Sequence, residues 1–186
     1  MESLKIIPQV FFDLIARVVP GAFGIIAYLL FFDKTWASLV AQIMGESVVN
    51  AGASVTIFVF LGASYVAGEL ISPAAKFVQW FGELKFFRPG IKEKNSYDYL
   101  RYKHPYVGGL CAKIRAEFTM HNGMAVVFGL SAAYYPFSSK PWNWYVFCIL
   151  VTMSLIIAVR GRKTRDTFNK TVLKFAKVVE YDEDKR

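Results

Sequence analysis

Apolar positions along this chain gather in four long runs, at about residues 6–32, 48–70, 119–138 and 142–159, with polar segments between them. A helix needs about 20 predominantly apolar residues to cross a bilayer, so each run is a candidate transmembrane helix. The last is the cleanest. "WNWYVFCILVTMSLIIAV" holds no charge and opens on Trp142, Trp144 and Tyr145, an interfacial aromatic belt. It stops at Arg160, where a basic run begins. The first run differs, because only Val18 to Phe32 is uninterrupted. Before it, Lys5, Gln9, Asp13 and Arg17 recur every four residues, one polar stripe on a helix, with Leu4, Ile7, Phe11, Leu14, Ile15 and Val18 lying off it. Either residues 3–18 lie in the membrane interface or the stripe faces other helices. In the second case Asp13 and Arg17 are an oppositely charged i,i+4 pair. Pro20-Gly21 then allows a kink.

Between the first two runs, Trp36, Leu39, Val40 and Ile43 have helical spacing behind Asp33 or Thr35 as a cap. The segment reads as a short helix on the outer surface or as a re-entrant element. Run two carries Ser64, Gly68 and Ser72 four residues apart, and run three carries Ala125, Gly129 and Ala133. Small residues at this spacing let helices approach closely, within one chain or between subunits. Asn50, Ser54, Thr56, Ser64 and Glu69 are the polar points of run two. Asn50 and Ser54 share a face suited to lining water, and Glu69 lies near the cytoplasmic end, where snorkelling costs little. Asp13, Arg17, Asn50, Ser54 and Glu69 are therefore the candidate pore or inter-helix polar residues.

Composition and charge sharpen this picture. The 186 residues are 55% hydrophobic and 17% aromatic with a net charge of +8, more apolar than a soluble domain of this size needs. The positive charge is lopsided. Lys85, Arg88, Lys92, Lys94, Arg101, Lys103, Lys113 and Arg115 lie between runs two and three. Arg160, Arg162, Lys163, Arg165, Lys170, Lys174, Lys177, Lys185 and Arg186 follow run four, while the opposite side has Lys34 and Lys140. Both termini and the middle segment are expected in the cytoplasm, and an even number of spans agrees. Early charges and a weakly basic start argue against a signal peptide. Cys111 and Cys148 make no disulfide framework and read as free thiols in a reducing compartment or in lipid.

The expected layout is transmembrane helices 1 and 2 over 1–81, a cytoplasmic basic segment over 82–118, transmembrane helices 3 and 4 over 119–159, and a cytoplasmic amphipathic helix and tail over 160–186. The chain continues helically through Phe77 and Trp80 and breaks at Arg88-Pro89-Gly90. In "KEKNSYDYLRYKHPY", Tyr97, Tyr99, Tyr102 and Tyr106 interleave with Lys92, Lys94, Arg101 and Lys103. Such a pattern suits phosphates and stacked bases, and equally an anionic headgroup layer. A turn at "HPYVGG" feeds a helix from about Leu110 that bears Lys113, Arg115 and Glu117. After run four, "TRDTFNK" starts a further helix at a Thr or Asp cap. Phe168, Val172, Phe175 and Val179 form its apolar face, opposite Lys170, Lys174 and Lys177. An apolar face this clean must be covered, by the middle segment, a symmetry mate or the membrane surface.

Catalytic readings are weaker. Arg115 and His121 resemble the Arg-x(4–6)-His signature of HEPN-type ribonucleases, in which a polar residue typically follows the arginine. Here that residue is Ala116, and an offset of six puts the pair on different faces of a helix. His104, Cys111 and His121 lack metal-ligand spacing, and no fourth ligand is evident. No group orients Cys111 and His121 as nucleophile and base. Lys92, Lys94, Arg101, Lys103, Lys113 and Arg115 read instead as a basic collar.

An N-terminal "FFDLIARVVPGAFG", with Phe12, Asp13, Pro20 and Gly21, three further spans and a basic cytoplasmic middle resemble small bacterial membrane effectors of anti-phage defence, of the Hailong type and more distantly the pore protein that accompanies some RNA-targeting CRISPR systems. The resemblance implies an oligomer that perturbs membrane potential under a nucleotide or nucleic-acid signal, with the collar holding the acidic regulator. The expectation is thus an all-α, four-span bundle in the bacterial inner membrane. It has no metal, cofactor or enzymatic activity and forms an ion-conducting homo-oligomer. Ser64, Gly68, Ala125, Gly129, Phe168, Val172, Phe175 and Val179 are the candidate oligomer contacts. Partners are lipid, further copies of the chain, a nucleotide or oligonucleotide regulator and a soluble defence protein. The alternatives are a non-conducting scaffold that recruits a soluble partner, and a membrane-bound HEPN-like nuclease.

Overall fold

The computed structural model describes residues 3–45, 53–81, 105–138 and 140–183. All regular elements among them are helical: α1 (Ser3–Phe31), α2 (Trp36–Met44), α3 (Ala53–Phe81), α4 (Pro105–Tyr134), a 3-10 turn (Tyr135–Phe137) and α5 (Trp144–Glu183). Asn50, Lys92, Lys94, Arg101 and Lys103 lie outside the described residues, as does the break expected at Arg88-Pro89-Gly90.

Three helices contain stretches long and apolar enough to cross a membrane: Val10–Phe31 in α1, Ser54–Phe77 in α3 and Trp144–Phe175 in α5. Their outward faces carry Phe23, Leu30, Phe58, Leu70, Leu155 and Ile156, all exposed. Apolar surface on this scale marks a protein solvated by lipid. The chain is therefore an all-helical membrane protein.

The run expected at 119–138 falls on α4 and the 3-10 turn and is less apolar than the other three. α4 packs against α1, α3 and α5. It buries Ala116, Asn122, Ala125, Val126, Val127, Ser131 and Ala132. A helix surrounded by protein has little lipid to face, so its sequence tolerates His121, Asn122 and Ser131 where the outer helices carry Val, Leu and Phe.

α3 runs through Pro73 to Phe81, the continuation expected through Phe77 and Trp80, while residues 48–52 of run two lie outside the described residues. Two other elements differ from expectation. In place of the turn expected at "HPYVGG", residues 105–109 are helical. α4 starts at Pro105, a favourable first helical position, and carries Gly108-Gly109 within it. Gly108 is buried and Val107 packs into a side-chain cluster, so tertiary contact overrides the low helix propensity of glycine. The separate helix expected after run four does not exist either. α5 is one helix of 40 residues, about 60 Å long, from lipid to the C-terminal region. Thr164 and Thr167, which looked like caps, donate their hydroxyls to the carbonyls of Arg160 and Lys163 and sit inside the helix.

α2 matches its pattern. Thr35 caps it, with reciprocal bonds between Thr35 and Ser38. Trp36 meets Phe60 edge-on with ring centroids 5.0 Å apart. Gly45 ends the helix at φ 91°, a conformation that favours glycine.

Candidate functional site: a polar shelf and a basic arm

The helices cross through small residues at one level. A Cβ on Gly21 would lie 1.7 Å from the Ser64 carbonyl oxygen, and one on Gly68 would lie 2.0 Å from the Arg17 carbonyl oxygen. Only the absence of these side chains lets α1 and α3 touch backbone to backbone. Ser64 is fully buried there and donates its hydroxyl to the Phe60 carbonyl at 2.7 Å. On the other side of α1, a Cβ on Gly123 would lie 2.8 Å from Pro20. α4 meets α5 in the same way: a Cβ on Gly161 would lie 2.5 Å from Asn122 Oδ1. Further out, Ser154 donates to the Ala125 carbonyl at 2.8 Å, and a Cβ on Gly129 would lie 3.3 Å from its hydroxyl.

Ionisable groups sit at this level. Arg17 ion-pairs with Glu69 rather than turning to Asp13, which is exposed on α1. Its guanidinium lies over the Tyr65 ring, 5.8 Å from the centroid. Tyr65 closes the group by donating its hydroxyl to Glu69 at 3.1 Å. On α4, His121 lies within electrostatic reach of Arg160 and Glu117. The pair and the histidine form a polar shelf across the bundle. At the opposite end, Asp33 pairs with Lys140 and Tyr135 donates to the Pro141 carbonyl at 3.1 Å. Trp142, Trp144 and Phe147 stack beside them with centroids 5.5 to 5.6 Å apart.

Past the shelf, α4 and α5 continue together as an arm. Cys111 and Val172 are fully buried against one another, with Val107, Phe168 and Phe175 packed around them. Phe118 and Phe168 approach to 5.8 Å between centroids. The apolar face of the C-terminal helix is thus covered by the first turns of α4 in the same chain. Burial pushes the Cys111 thiol pKa up. The arm is basic outside. Lys113 and Arg115 are exposed on α4, and Arg160, Arg162, Lys163, Lys170 and Lys174 on α5, against the acidic Glu117 and Asp166.

Of the expected site residues, the fold brings Lys113 and Arg115 onto the arm and joins Arg17 to Glu69. Ser54 is exposed at the start of α3. Ser64 and Gly68 are buried on α1, Ala125 is buried beside Ser154 of α5 with Gly129 half-buried next to it, and Phe168, Val172 and Phe175 meet α4, all within one chain. Val179 belongs to α5. His121 is placed beside Gly161. Sequence reasoning missed Pro20, Gly123 and Gly161 as crossing points. Gly161 carried a signal, a lone glycine inside an Arg/Lys run that continues a helix. α1 and α3 also enclose an outward groove of about 470 Å³, lined by Leu14, Ile15, Val18, Val19, Phe58, Leu61, Gly62 and Tyr65.

Compared with known proteins, the chain matches no family model, no curated protein and no solved structure.

Proposed function

We propose that this chain is a homo-oligomeric, ion-conducting membrane effector, acting without catalysis and regulated at its basic cytoplasmic arm by a nucleotide or oligonucleotide. One observation carries the reading. α5 runs unbroken from the lipid-facing Trp144 to the cationic arm, so a polyanion that moves the arm moves a spanning helix with it. Lys113, Arg115, Lys170 and Lys174 are the described bases of the binding surface, joined in the sequence by Lys92, Lys94, Arg101 and Lys103.

In this reading α4 is the fourth span. Beyond the arm, its residues 119–134 and the following 3-10 turn make the crossing, and protein shields their polar groups. Both termini then lie in the cytoplasm of a bacterium with the arm, and Asp33, Lys34 and Lys140 lie outside. A bundle this small has little room for its own aqueous channel, so conduction needs an axis shared between copies. Anti-phage defence is the setting that the resemblance to Hailong-type effectors implies, with a soluble defence protein as the source of the signal.

The test is flux across vesicles reconstituted with the purified chain, with and without short single-stranded oligonucleotides. The reading expects an ion flux that the oligonucleotide changes. It also expects Lys113→Ala with Lys170→Ala and Lys174→Ala to weaken that response and flatten its salt dependence.

A second reading has its own support. The small-residue faces of α3 and α4 are occupied inside the chain, as a membrane scaffold that recruits a soluble partner would have them. A scaffold leaves a potential-sensitive dye unchanged under every condition, whereas a pore depolarises the membrane under at least one.

A further inference from the structure

We propose that the bundle fits a hydrocarbon layer of about 22–24 Å, thinner than an ordinary bilayer core of about 30 Å, and so selects short-chain phospholipids around it. The proposal goes beyond the reading of the arm and does not depend on conduction.

The apolar windows of α1, α3 and α5 span 22 residues or more, but their charge-free parts are shorter. On α1 that part runs from Val18 to Phe32, between Arg17 and Asp33: 15 residues, or about 22 Å at 1.5 Å per residue. On α3 the described part runs from Ala53 to Gly68, ahead of Glu69, and on α5 from Trp144 to Val159, ahead of Arg160. Each is 16 residues, or about 24 Å.

The packing sets these ends level. Arg17 and Glu69 pair across the α1–α3 crossing. Gly123 of α4 lies against Pro20, and Gly161 of α5 lies against His121 and Asn122, so Arg160 is within about one turn of Arg17 in depth. At the outer end Asp33 pairs with Lys140, which stands just before α5. The α1–α3 register, with Gly21 on Ser64 and Gly68 on Arg17, carries Asp33 to the level of Ala53. One short belt therefore runs across all three lipid-facing helices, with charges at both edges.

Long cations can stretch such a belt by reaching past its edge. Arg17 does not, because its guanidinium is tied sideways to Glu69 and lies over the Tyr65 ring. On the cytoplasmic side of the pair, exposed Asp13 and Lys76 are interspersed with exposed Val10, Phe11, Leu70 and Phe77. A mixed surface of this kind suits the headgroup layer rather than hydrocarbon. In a core of about 30 Å the charges of the inner edge would lie roughly 6 Å inside hydrocarbon, and a thinner layer removes that cost.

The test is lipid choice. The full chain is reconstituted with a brominated dioleoyl phosphatidylcholine that quenches tryptophan. Dimyristoleoyl, dipalmitoleoyl, dioleoyl or dierucoyl phosphatidylcholine then competes with it for the protein surface. The relative affinity is expected to peak at one of the two shorter lipids and to fall several-fold by dierucoyl. A peak at dioleoyl or dierucoyl, or equal affinity for all four, overturns the proposal. Arg17→Leu with Glu69→Leu removes the inner edge on α1 and α3 and is expected to move the peak to a longer lipid. Lys113→Gln with Lys174→Gln, on the arm, is expected to leave it in place. A peak that stays put in the folded leucine variant, or that moves equally in both variants, overturns the proposal as well. The wild-type peak decides by itself if a variant misfolds.

Discussion

Arg17 of α1 forms an ion pair with Glu69 of α3 one turn from the point where Gly21 rests on the Ser64 carbonyl. The two features depend on each other. Contact without side chains brings the backbones close enough for a short-range pair, and the pair neutralises an arginine that the apolar stretch would otherwise carry bare.

Glu69→Gln leaves Arg17 charged without its partner and should destabilise the chain by roughly 2 kcal/mol. Arg17→Leu combined with Glu69→Leu should cost less than the single change, since no uncompensated charge remains. Unfolding in graded detergent mixtures measures both. A double variant as damaged as Glu69→Gln would show that the ion pair is not what matters.

The crossing itself gives a sharper contrast. Gly21→Ala puts a Cβ into the Ser64 carbonyl and should cost about 1–3 kcal/mol or more, because the obstacle is backbone. Gly62→Ala meets nothing within 4 Å and should be neutral or slightly stabilising. Equal behaviour of the two in thermal unfolding would contradict the α1–α3 contact.

The two cysteines should differ in reactivity. Cys111 is fully buried on the arm with its thiol pKa raised, so maleimide should label it only after unfolding, as read by mass. The sign of its pH dependence follows. The neutral thiol suits the folded site, so its contribution to stability is intact below the ordinary thiol range and is lost as pH rises through the raised pKa. Cys148 is exposed on the membrane-spanning part of α5 and should react with a membrane-permeant reagent without unfolding.

Val172→Ala should loosen the arm without unfolding the spans. Removing methyl groups from a fully buried position beside Cys111 costs about 2 kcal/mol. Hydrogen exchange should speed up in 105–118 and 163–175 while 54–68 stays protected. Uniform acceleration would mean that arm and bundle unfold as one unit.

Much of the helical architecture could be read from the chain, and the places where reading stopped have physical causes. The cap at Thr35 and the spacing of Trp36, Leu39 and Val40 specified α2 because both signals are local. The apolar face of Phe168, Val172 and Phe175 was equally plain, but its cover was not. Cys111 and Val107 lie some sixty residues earlier in the chain, and nothing in a helical period names its partner. Continuity of α5 was hidden by Thr164 and Asp166, which look like a helix start until the threonine hydroxyls are seen to bond backward. Arg17 and Glu69 were each visible as charges in apolar runs. Their pairing needed the glycine crossing, which depends on which small-residue stripes face one another.

The account rests on the arm and the Asp33–Lys140 end lying on opposite sides of a membrane. Impermeant maleimide applied to intact cells tests this most directly. Single cysteines would be placed at Asp33, Lys140, Lys113 and Lys174 in a chain whose own two cysteines are replaced by serine. The account predicts labelling at 33 and 140 from outside, and at 113 and 174 only after the cells are opened. Labelling of all four from the same side would contradict it.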